Sequence, residues 1–254
     1  MNLKYLTMSQ ENGVVTITIN RPNKRNALNP DLLTEISSIF ESVHVDATNK
    51  VVLLTGGEKF FSAGFDLNEI RKIEKNDNEA FTSLFHRAYR AILFCKLPVI
   101  CAVGGPAIAG GFDLTLMCDV RYASDNAKFG QREIALALTP VLDPLWRIIG
   151  LGRAKELTLS GRIYDATEAL SMGYVSQVFP QGELMTNVLD IATKMATFDR
   201  EALVTTKKLS NHVLSQDLDS NMTAQEWLFR SFIGSTENHM RIDSLLEVLT
   251  KAKK

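Results

Sequence analysis

Two short apolar segments, each followed by a pair of glycines and then by a helix-like segment, constrain the fold of this chain more than any other feature. The first is residues 51–55 (VVLLT), and the second is residues 99–103 (VICAV). Short continuous apolar runs that are bounded by turn residues are typical of buried strands. The repeat of strand, glycine turn and helix therefore predicts an α/β fold.

The two ends of the chain carry different patterns. Residues 3–20 alternate between apolar and polar side chains around an Asn-Gly turn, which predicts a β-hairpin. Asn29 followed by Pro30 is typical of a helix start. The last third of the chain has helical periodicity almost throughout. We therefore predict an α/β part over residues 1–180 and a helical part over residues 181–254.

Composition and charge limit the possible partners. The 254 residues include 28 Lys and Arg against 29 Asp and Glu, so the net charge of −1 gives no overall attraction to nucleic acid or to an anionic membrane. No apolar segment is long enough to span a membrane. The three cysteines lack the spacing of a metal or redox site, which favours buried thiols in the reducing cytoplasm. We predict a cytoplasmic protein without a nucleic-acid or membrane partner.

Neither a metal site nor a separate cofactor is predicted. The four histidines are scattered along the chain without the spacing of metal ligands. Each is interpreted as a surface residue or as part of a helix face. For His86, which follows the charged segment of residues 72–79, a polar position in a ligand pocket is the alternative.

Two glycine-containing turns are candidate parts of a reactive site. Residues 61–67 (FSAGFDL) and residues 107–113 (AIAGGFD) each lie between a predicted strand and a predicted helix, where backbone amides are free to face an anion. Tight packing of helix on sheet is the alternative explanation for one such turn. Two turns together can direct two amides at one carbonyl oxygen. Each donor then stabilises the negative charge that develops on this oxygen by roughly 2.7–4 kcal/mol.

These turns and several other segments resemble motifs of the crotonase superfamily, the enoyl-CoA hydratase/isomerase family. The matching segments occur in the family's order, at residues 20–29, 61–67, 110–114 with 118–119, 127–133, 158–162 and 169–175. The resemblance covers residues 14–180 and is weak beyond them. It implies a crotonase-like ββα spiral core with a helical C-terminal part, and an enzyme that acts on an acyl-CoA thioester.

The resemblance also implies the positions that contact the substrate. The backbone N–H groups of Phe65 and Gly110 would form an oxyanion hole for the thioester oxygen, and the helix that follows would add its positive end. Lys24 and Arg25 match the place where the family meets the CoA phosphates, although by composition alone they are equally a solvated basic loop. The adenine and pantetheine region corresponds to Ala27, Ala63, Asp66, Leu67 and Ile70.

Two acids occupy the positions at which hydratases of this family carry glutamates. These are Asp113, which is one methylene shorter than glutamate, and Glu133. Hydration requires a base that takes a proton from water and an acid that protonates C2, so two carboxyl groups can perform both steps. The alternatives are an ion pair of Glu133 with Arg132 and a structural role of Asp113 in the first turn of a helix.

One segment departs from the hydratase pattern. Where hydratases carry a glycine-rich turn, this chain has residues 140–146 (PVLDPLW), so Val141, Leu142 and Trp146 are predicted to line an acyl pocket. Trp146 could instead be ordinary core. A narrowed pocket leaves Δ3-Δ2 enoyl-CoA isomerisation, which needs only Glu133, as the alternative to hydration. A lesser alternative is a non-catalytic homologue that binds a CoA ester or RNA.

An apolar cluster in the last third of the chain points to assembly. It comprises Trp227, Leu228, Phe229, Phe232 and Ile233. Such a cluster is expected to be covered by the rest of the chain or by a neighbouring copy. By resemblance to the family, we predict a homotrimer or homohexamer that assembles through the helical C-terminal part.

Overall fold

The computed structural model describes residues 3–74, 78–212, 220, 226, 230, 233 and 235–251. The strands are β1 Leu6–Glu11, β2 Val14–Ile19, β3 Val51–Thr55, β4 Val99–Val103, β5 Ala107–Ile108, β6 Val120–Ser124, β7 Lys128–Gly130, β8 Tyr164–Asp165 and β9 Gln177–Phe179. The α-helices are α1 Pro30–Ser42, α2 Leu67–Ile70, α3 Glu79–Leu93, α4 Gly110–Leu116, α5 Leu145–Ile149, α6 Leu151–Ser160, α7 Ala166–Ser171, α8 Leu184–Ala196, α9 Arg200–His212 and α10 Thr236–Lys251. Two 3-10 helices are Pro22–Lys24 and Glu133–Leu136.

Most of the strands form one twisted sheet with the order β1-β2-β3-β4-β6-β9. Strands β1 and β2 form the predicted hairpin and are antiparallel, whereas all the other neighbours in this sheet are parallel. A smaller sheet has the order β5-β7-β8. The α/β fold class expected from the sequence is therefore present.

The two central strands are the apolar segments from which the fold was predicted. Every residue of β3 and β4 is buried, as expected for parallel strands that are covered on both faces. Their register pairs Leu54 with Cys101 and Thr55 with Ala102, so both strands end at the same edge of the sheet. The turns that follow them therefore start side by side.

Glycines allow these two turns to touch. A Cβ atom on Gly104 would lie 2.4 Å from the carbonyl oxygen of Gly57, and one on Gly105 would lie 2.3 Å from that of Lys59. No real side chain tolerates such distances, so only glycine permits this approach of backbone to backbone. The glycine pair after β4 is thus part of the contact that brings the two candidate turns together.

Helix α3 packs against α1 and also contacts α4, the helix that follows the second candidate turn. The N-cap side chain of Asn29 accepts a hydrogen bond from Leu32 N–H at 3.0 Å, and Pro30 occupies the first turn, as the sequence predicted. The buried face of α1 packs against α3. One face of α3 is thereby positioned to form a wall of the site described below.

The division of the chain differs from the predicted one. The structure separates into the compact units Met1–Thr197 and Phe198–Lys254, whereas the sequence placed the boundary at residue 180. The physical reason is α8, whose buried residues pack on the strands of the main sheet, so this helix belongs to the first unit. Helical periodicity alone did not reveal that α8 covers the sheet.

The second unit contains α9 and α10. Of the apolar cluster on which the predicted assembly depends, Trp227, Leu228, Phe229 and Phe232 lie outside the described residues. Within the described parts of the chain, no helix combines the length and the apolar character that crossing a membrane requires.

Candidate active site

The two turns predicted to form a reactive site lie directly against each other. The N–H group of Ile108 donates to the carbonyl oxygen of Ser62 at 3.0 Å, which ties the second turn to the first. A Cβ atom on Gly64 would lie 3.2 Å from the amide nitrogen of Gly110. Gly64 has a φ of 90°, a conformation that favours glycine. The backbone around residues 64 and 65 therefore adjoins the start of α4.

The start of α4 depends on two unusual residues. A Cβ atom on Gly111 would lie 2.3 Å from the carbonyl oxygen of Ser62, so a side chain here would separate the turns. Ala109 has φ 51° and ψ −130°, a strained conformation for a residue with a side chain, at a cost of about 1–3 kcal/mol. Such strain is concentrated at functional sites, and here it orients the peptide group that ends in the N–H of Gly110.

Two backbone amides are available at this junction. Leu28 N–H donates to the Gly64 carbonyl, and Asp66 N–H donates to the Leu28 carbonyl, both at 2.8 Å. These bonds fix the peptides on either side of Phe65. Among the described residues, neither the N–H of Phe65 nor that of Gly110, the first residue of α4, has an acceptor. Two neighbouring unpaired donors are suited to binding one oxygen.

Asp113 is a buried carboxyl group held by two donors. It lies on α4 with 2% of its surface exposed. Tyr89 of α3 donates its hydroxyl proton to Oδ2 at 3.2 Å, and Gln131 donates from Nε2 to Oδ1 at 3.0 Å. Burial raises the pKa of Asp113 well above its usual range, and the nearby charge of Glu133 raises it further, against the opposite effect of both hydrogen bonds.

Glu133 is also buried, but its hydrogen bonding differs from that of Asp113. It opens the 3-10 helix Glu133–Leu136 and is 5% exposed. Neither Oε1 nor Oε2 has a hydrogen-bond partner among the described residues, and Arg132 instead donates to the carbonyl oxygen of Gly161 at 2.7 Å. Burial raises the pKa of Glu133. A buried carboxyl group without a hydrogen-bond partner lowers the stability of the fold. Such a group is typical of a side chain that binds a ligand.

Gln131 connects Asp113 to the segment of residues 140–146. Its Nε2 atom donates both to Asp113 and to the backbone carbonyl of Val141, the latter at 2.7 Å. The segment that replaces the glycine-rich turn of hydratases is therefore fixed to the same amide group that orients Asp113.

Two cavities meet at Glu133. The larger one, of about 620 Å³, is lined by both acids, by Val141 and Leu142, and by residues of α3. The smaller one, of about 240 Å³, is lined by Ala63, Leu67 and Ile70 among others. Glu133, Phe65, Ile70 and Leu138 line both cavities. The reactive groups thus lie at the junction of a larger and a smaller compartment.

The predicted acyl-pocket residues separate into two groups. Val141 and Leu142 line the larger cavity, but Trp146 is not part of its described lining. Trp146 lies on α5, where the guanidinium of Arg147 stands 4.6 Å from the centre of its ring. The turn, rather than the helix, contributes to the pocket.

Of the predicted CoA-contacting residues, Ala63, Leu67 and Ile70 line the smaller cavity. Lys24 and Arg25 are exposed at the end of the 3-10 helix, and Ala63 N–H donates to the Arg25 carbonyl at 3.0 Å. Ala27 adjoins this loop, while Leu67 is exposed at the start of α2. Asp66 is already engaged, because it caps α2 and pairs with Arg21 at 2.8 Å.

Several residues at the site were not found by sequence reasoning. Tyr89 and Gln131 hold Asp113, and Phe81 and Phe85 form part of the larger cavity. The sequence indicated these residues only in part. Gln131 belongs to the family motif at residues 127–133, and the two phenylalanines recur at helical spacing on α3. His86 lies at the rim of the larger cavity, which fits the alternative weighed for it. In the described residues, no group of three potential metal ligands occurs.

The buried acid predicts a pH-dependent stability difference. Because the pKa of Asp113 is raised in the folded state, its protonation stabilises the fold fully at low pH, and this contribution is lost as the pH rises through the folded-state pKa. We expect Asp113→Asn to raise the melting temperature more at pH 8 than at pH 4, since asparagine keeps partners in Tyr89 and Gln131. Each tenfold change in proton affinity corresponds to about 1.4 kcal/mol, or about 3–5 °C.

Calorimetry at both pH values measures this difference. Asp190→Asn, on the exposed side of α8, is the matched control and should change the melting temperature equally at the two pH values. An Asp113→Asn variant whose gain is also independent of pH would contradict the raised pKa.

Comparison with known proteins agrees with this geometry. The family model described as enoyl-CoA hydratase/isomerase matches residues 9–252. The short-chain-enoyl-CoA hydratase of Clostridium acetobutylicum is 33% identical, covering 97% of this chain and 96% of the relative. The crotonyl-CoA hydratase of Syntrophomonas wolfei is 32% identical with the same coverage.

A solved structure, that of an enoyl-CoA hydratase from Bacillus anthracis, superimposes with a TM-score of 0.92 at 31% identity and covers 96% of both chains. The resemblance seen in the motifs is thereby confirmed, and it extends into the C-terminal helices, where the motifs were weak. This chain belongs to the enoyl-CoA hydratase/isomerase family.

Proposed function

We propose that this protein is an enoyl-CoA hydratase, which adds water across the double bond of a 2-enoyl-CoA. The observation that carries the proposal is the pair of buried carboxyl groups, Asp113 and Glu133, that face one cavity beside two unpaired backbone amides. Membership of the family, together with full-length relatives that bear the name of hydratases, supports the same activity.

The two amides act on the thioester oxygen. When water attacks C3, negative charge develops on that oxygen, and the N–H groups of Phe65 and Gly110 stabilise the charge. Each donor contributes roughly 2.7–4 kcal/mol in a site from which bulk water is excluded. Because the backbone of both turns is fixed by hydrogen bonds and by glycine contacts, these donors need little reorganisation during the reaction.

The two acids share the proton transfers. Burial raises the pKa of both carboxyl groups, and the charge of Glu133 raises that of Asp113 further, so the proposed reaction starts from a pair that shares one proton. The ionised carboxylate takes a proton from the attacking water, and the protonated carboxyl group gives its proton to C2. One proton enters the pair and one leaves it, so the pair still holds one proton, now on the other carboxyl group, and transfer of that proton back restores the starting state.

The CoA moiety is proposed to bind along the smaller cavity. Lys24 and Arg25 would meet its phosphates, and Ala27, Ala63, Asp66, Leu67 and Ile70 would border the adenine and the pantetheine arm. The smaller cavity supports this direction because it leads from Ala63 and Leu67 to Glu133. CoA would enter only as part of the substrate, with no separate cofactor.

Isomerisation of a 3-enoyl-CoA is the second candidate, and one observation favours it. Both oxygens of Asp113 accept hydrogen bonds from protein donors, whereas both oxygens of Glu133 are unpaired among the described residues. A single free carboxylate suffices to remove a proton from C2 and return it to C4. Hydration requires Asp113 to take part in proton transfer as well.

Chromatographic separation of the products followed by mass analysis distinguishes the two reactions. Purified protein is incubated separately with a trans-2-enoyl-CoA and with a 3-enoyl-CoA of the same length. Hydration gives an enzyme-dependent product heavier by one water from the 2-enoyl ester. If that ester is unchanged and the 3-enoyl ester becomes a 2-enoyl ester of the same mass, the protein is an isomerase and the hydratase proposal is refuted.

We further propose that the protein is a cytoplasmic homotrimer or homohexamer whose copies meet through the helical C-terminal part. Assembly of related enzymes, implied by the family resemblance, supports this state. Light scattering of the purified chain tests it, and a monomeric mass would contradict it.

A further inference from the structure

The larger cavity extends beyond the reacting groups, away from the proposed CoA side. Most residues that line this cavity alone lie on α3 and on the turn at residues 139–143, whereas Glu133 and Phe65 line both cavities. An acyl chain that entered along the smaller cavity would pass the acids and continue into the larger one. Its volume of about 620 Å³ lies within the ~300–1,000 Å³ of pockets that enclose whole drug-sized ligands, so it greatly exceeds a four-carbon acyl group.

One wall of this compartment is aromatic. The ring of Phe65 packs edge to face with that of Phe81, with centroids 5.3 Å apart, and lies 5.2 Å from Phe85. Phe85 is held in turn by Tyr89 at 5.5 Å and by the stacked imidazole of His86 at 4.6 Å. Because each ring is braced by a neighbour, the wall keeps its shape and presents ring edges and faces to a ligand.

The remaining surroundings favour an uncharged ligand. Four acidic residues line the larger cavity, Glu74, Asp113, Glu133 and Asp143, and the carboxylate of Asp143 is paired with Arg147 at 2.6 Å. In the described lining of this cavity, the imidazole of His86 is the sole basic group. An acyl group with a terminal carboxylate would meet charges of its own sign in a partly desolvated space, which is unfavourable.

We infer that the acyl group of the substrate ends in an uncharged aromatic ring, which packs against the wall formed by Phe65, Phe81 and Phe85. The inference rests on the proposed function, because it takes the substrate to be a CoA thioester held at Phe65 and Gly110. Aromatic pairs in offset or edge-to-face contact gain about 2- to 12-fold in affinity beyond the burial of their area. A flexible alkyl chain of equal carbon number lacks this gain and loses more freedom on binding.

Binding of unreactive, saturated thioesters tests the inference without any turnover. Dissociation constants are measured by calorimetry for 3-phenylpropanoyl-CoA and nonanoyl-CoA, which have equal numbers of acyl carbons. We expect the phenyl ester to bind about three- to tenfold more tightly. Equal binding, or tighter binding of the alkyl ester, would overturn the inference while leaving the proposed hydration untouched.

Two variants assign the preference to the wall. Phe81→Leu and Phe85→Leu keep an apolar side chain but remove a ring, so the ratio of the two dissociation constants should fall to about one. Phe94→Leu, at the exposed end of α3, is the matched control and should keep the wild-type ratio. A ratio that survives in both wall variants would show that the ring binds elsewhere.

A charge comparison completes the test. Adipyl-CoA and hexanoyl-CoA have equal acyl carbon numbers and differ in a terminal carboxylate. The adipyl ester is expected to bind at least about tenfold more weakly, and equal binding would contradict an uncharged acyl compartment. Failure of the hydration assay alone would refute the proposed function, whereas these binding ratios would still decide the substrate class.

Discussion

Replacing Glu133 with glutamine is expected to lower kcat for hydration by about 10³- to 10⁴-fold. Glutamine has nearly the same shape but can neither accept nor release a proton at neutral pH. Both oxygens of Glu133 are buried and unpaired among the described residues, so the change breaks no hydrogen bond within that part of the protein. Stopped assays with a trans-2-enoyl-CoA give kcat, and calorimetry with a saturated acyl-CoA gives the affinity, which should stay within about threefold of wild type.

Glu11→Gln is the matched control, because Glu11 is exposed at the end of β1 and far along the chain from the acids. It should leave both kcat and affinity unchanged. A Glu133→Gln variant with a near-normal rate would show that another group performs the proton transfer.

Asp113→Asn is expected to lower hydration by about 10²- to 10⁴-fold, because one member of the acid pair can no longer exchange a proton. The pair also predicts a bell-shaped dependence of hydration on pH in the wild type. The rate falls at low pH when both acids are protonated, and at high pH when the pair loses its last proton.

The same variant separates the two candidate reactions. If Glu133 alone carries the chemistry, Asp113→Asn retains most of its activity on a 3-enoyl-CoA. The initial rates of the variant and the wild type are therefore compared on both the 2-enoyl and the 3-enoyl ester. Full hydration by the variant would exclude Asp113 from proton transfer and leave it a structural role between Tyr89 and Gln131.

The sequence was most informative where local rules decide the structure. Residues 51–55 and 99–103 could be predicted as buried strands because four or five consecutive apolar residues followed by a pair of glycines leave few other solutions. The hairpin and the start of α1 followed from an Asn-Gly turn and from an Asn-Pro cap in the same way. These signals depend on neighbours along the chain.

The rest of the site depends on neighbours in space. Tyr89 is separated from Asp113 by two dozen residues and meets it because α3 packs against α4. Trp146 is close in sequence to Val141, but it lies on α5 and is not part of the described lining of the cavity. Periodicity could not distinguish α8, which covers the sheet, from the helices of the second unit.

Gln131 has a consequence for how this enzyme can change. One amide group holds both Asp113 and the backbone of Val141, so a proton-transfer group and a pocket wall share a single anchor. A substitution that shifts the turn to admit a new acyl group also displaces the acid. Protein engineers who diversify residues 140–142 should therefore vary position 131 in the same library. For the same reason, we expect natural changes of substrate range in this lineage to arise as coupled rather than as independent substitutions.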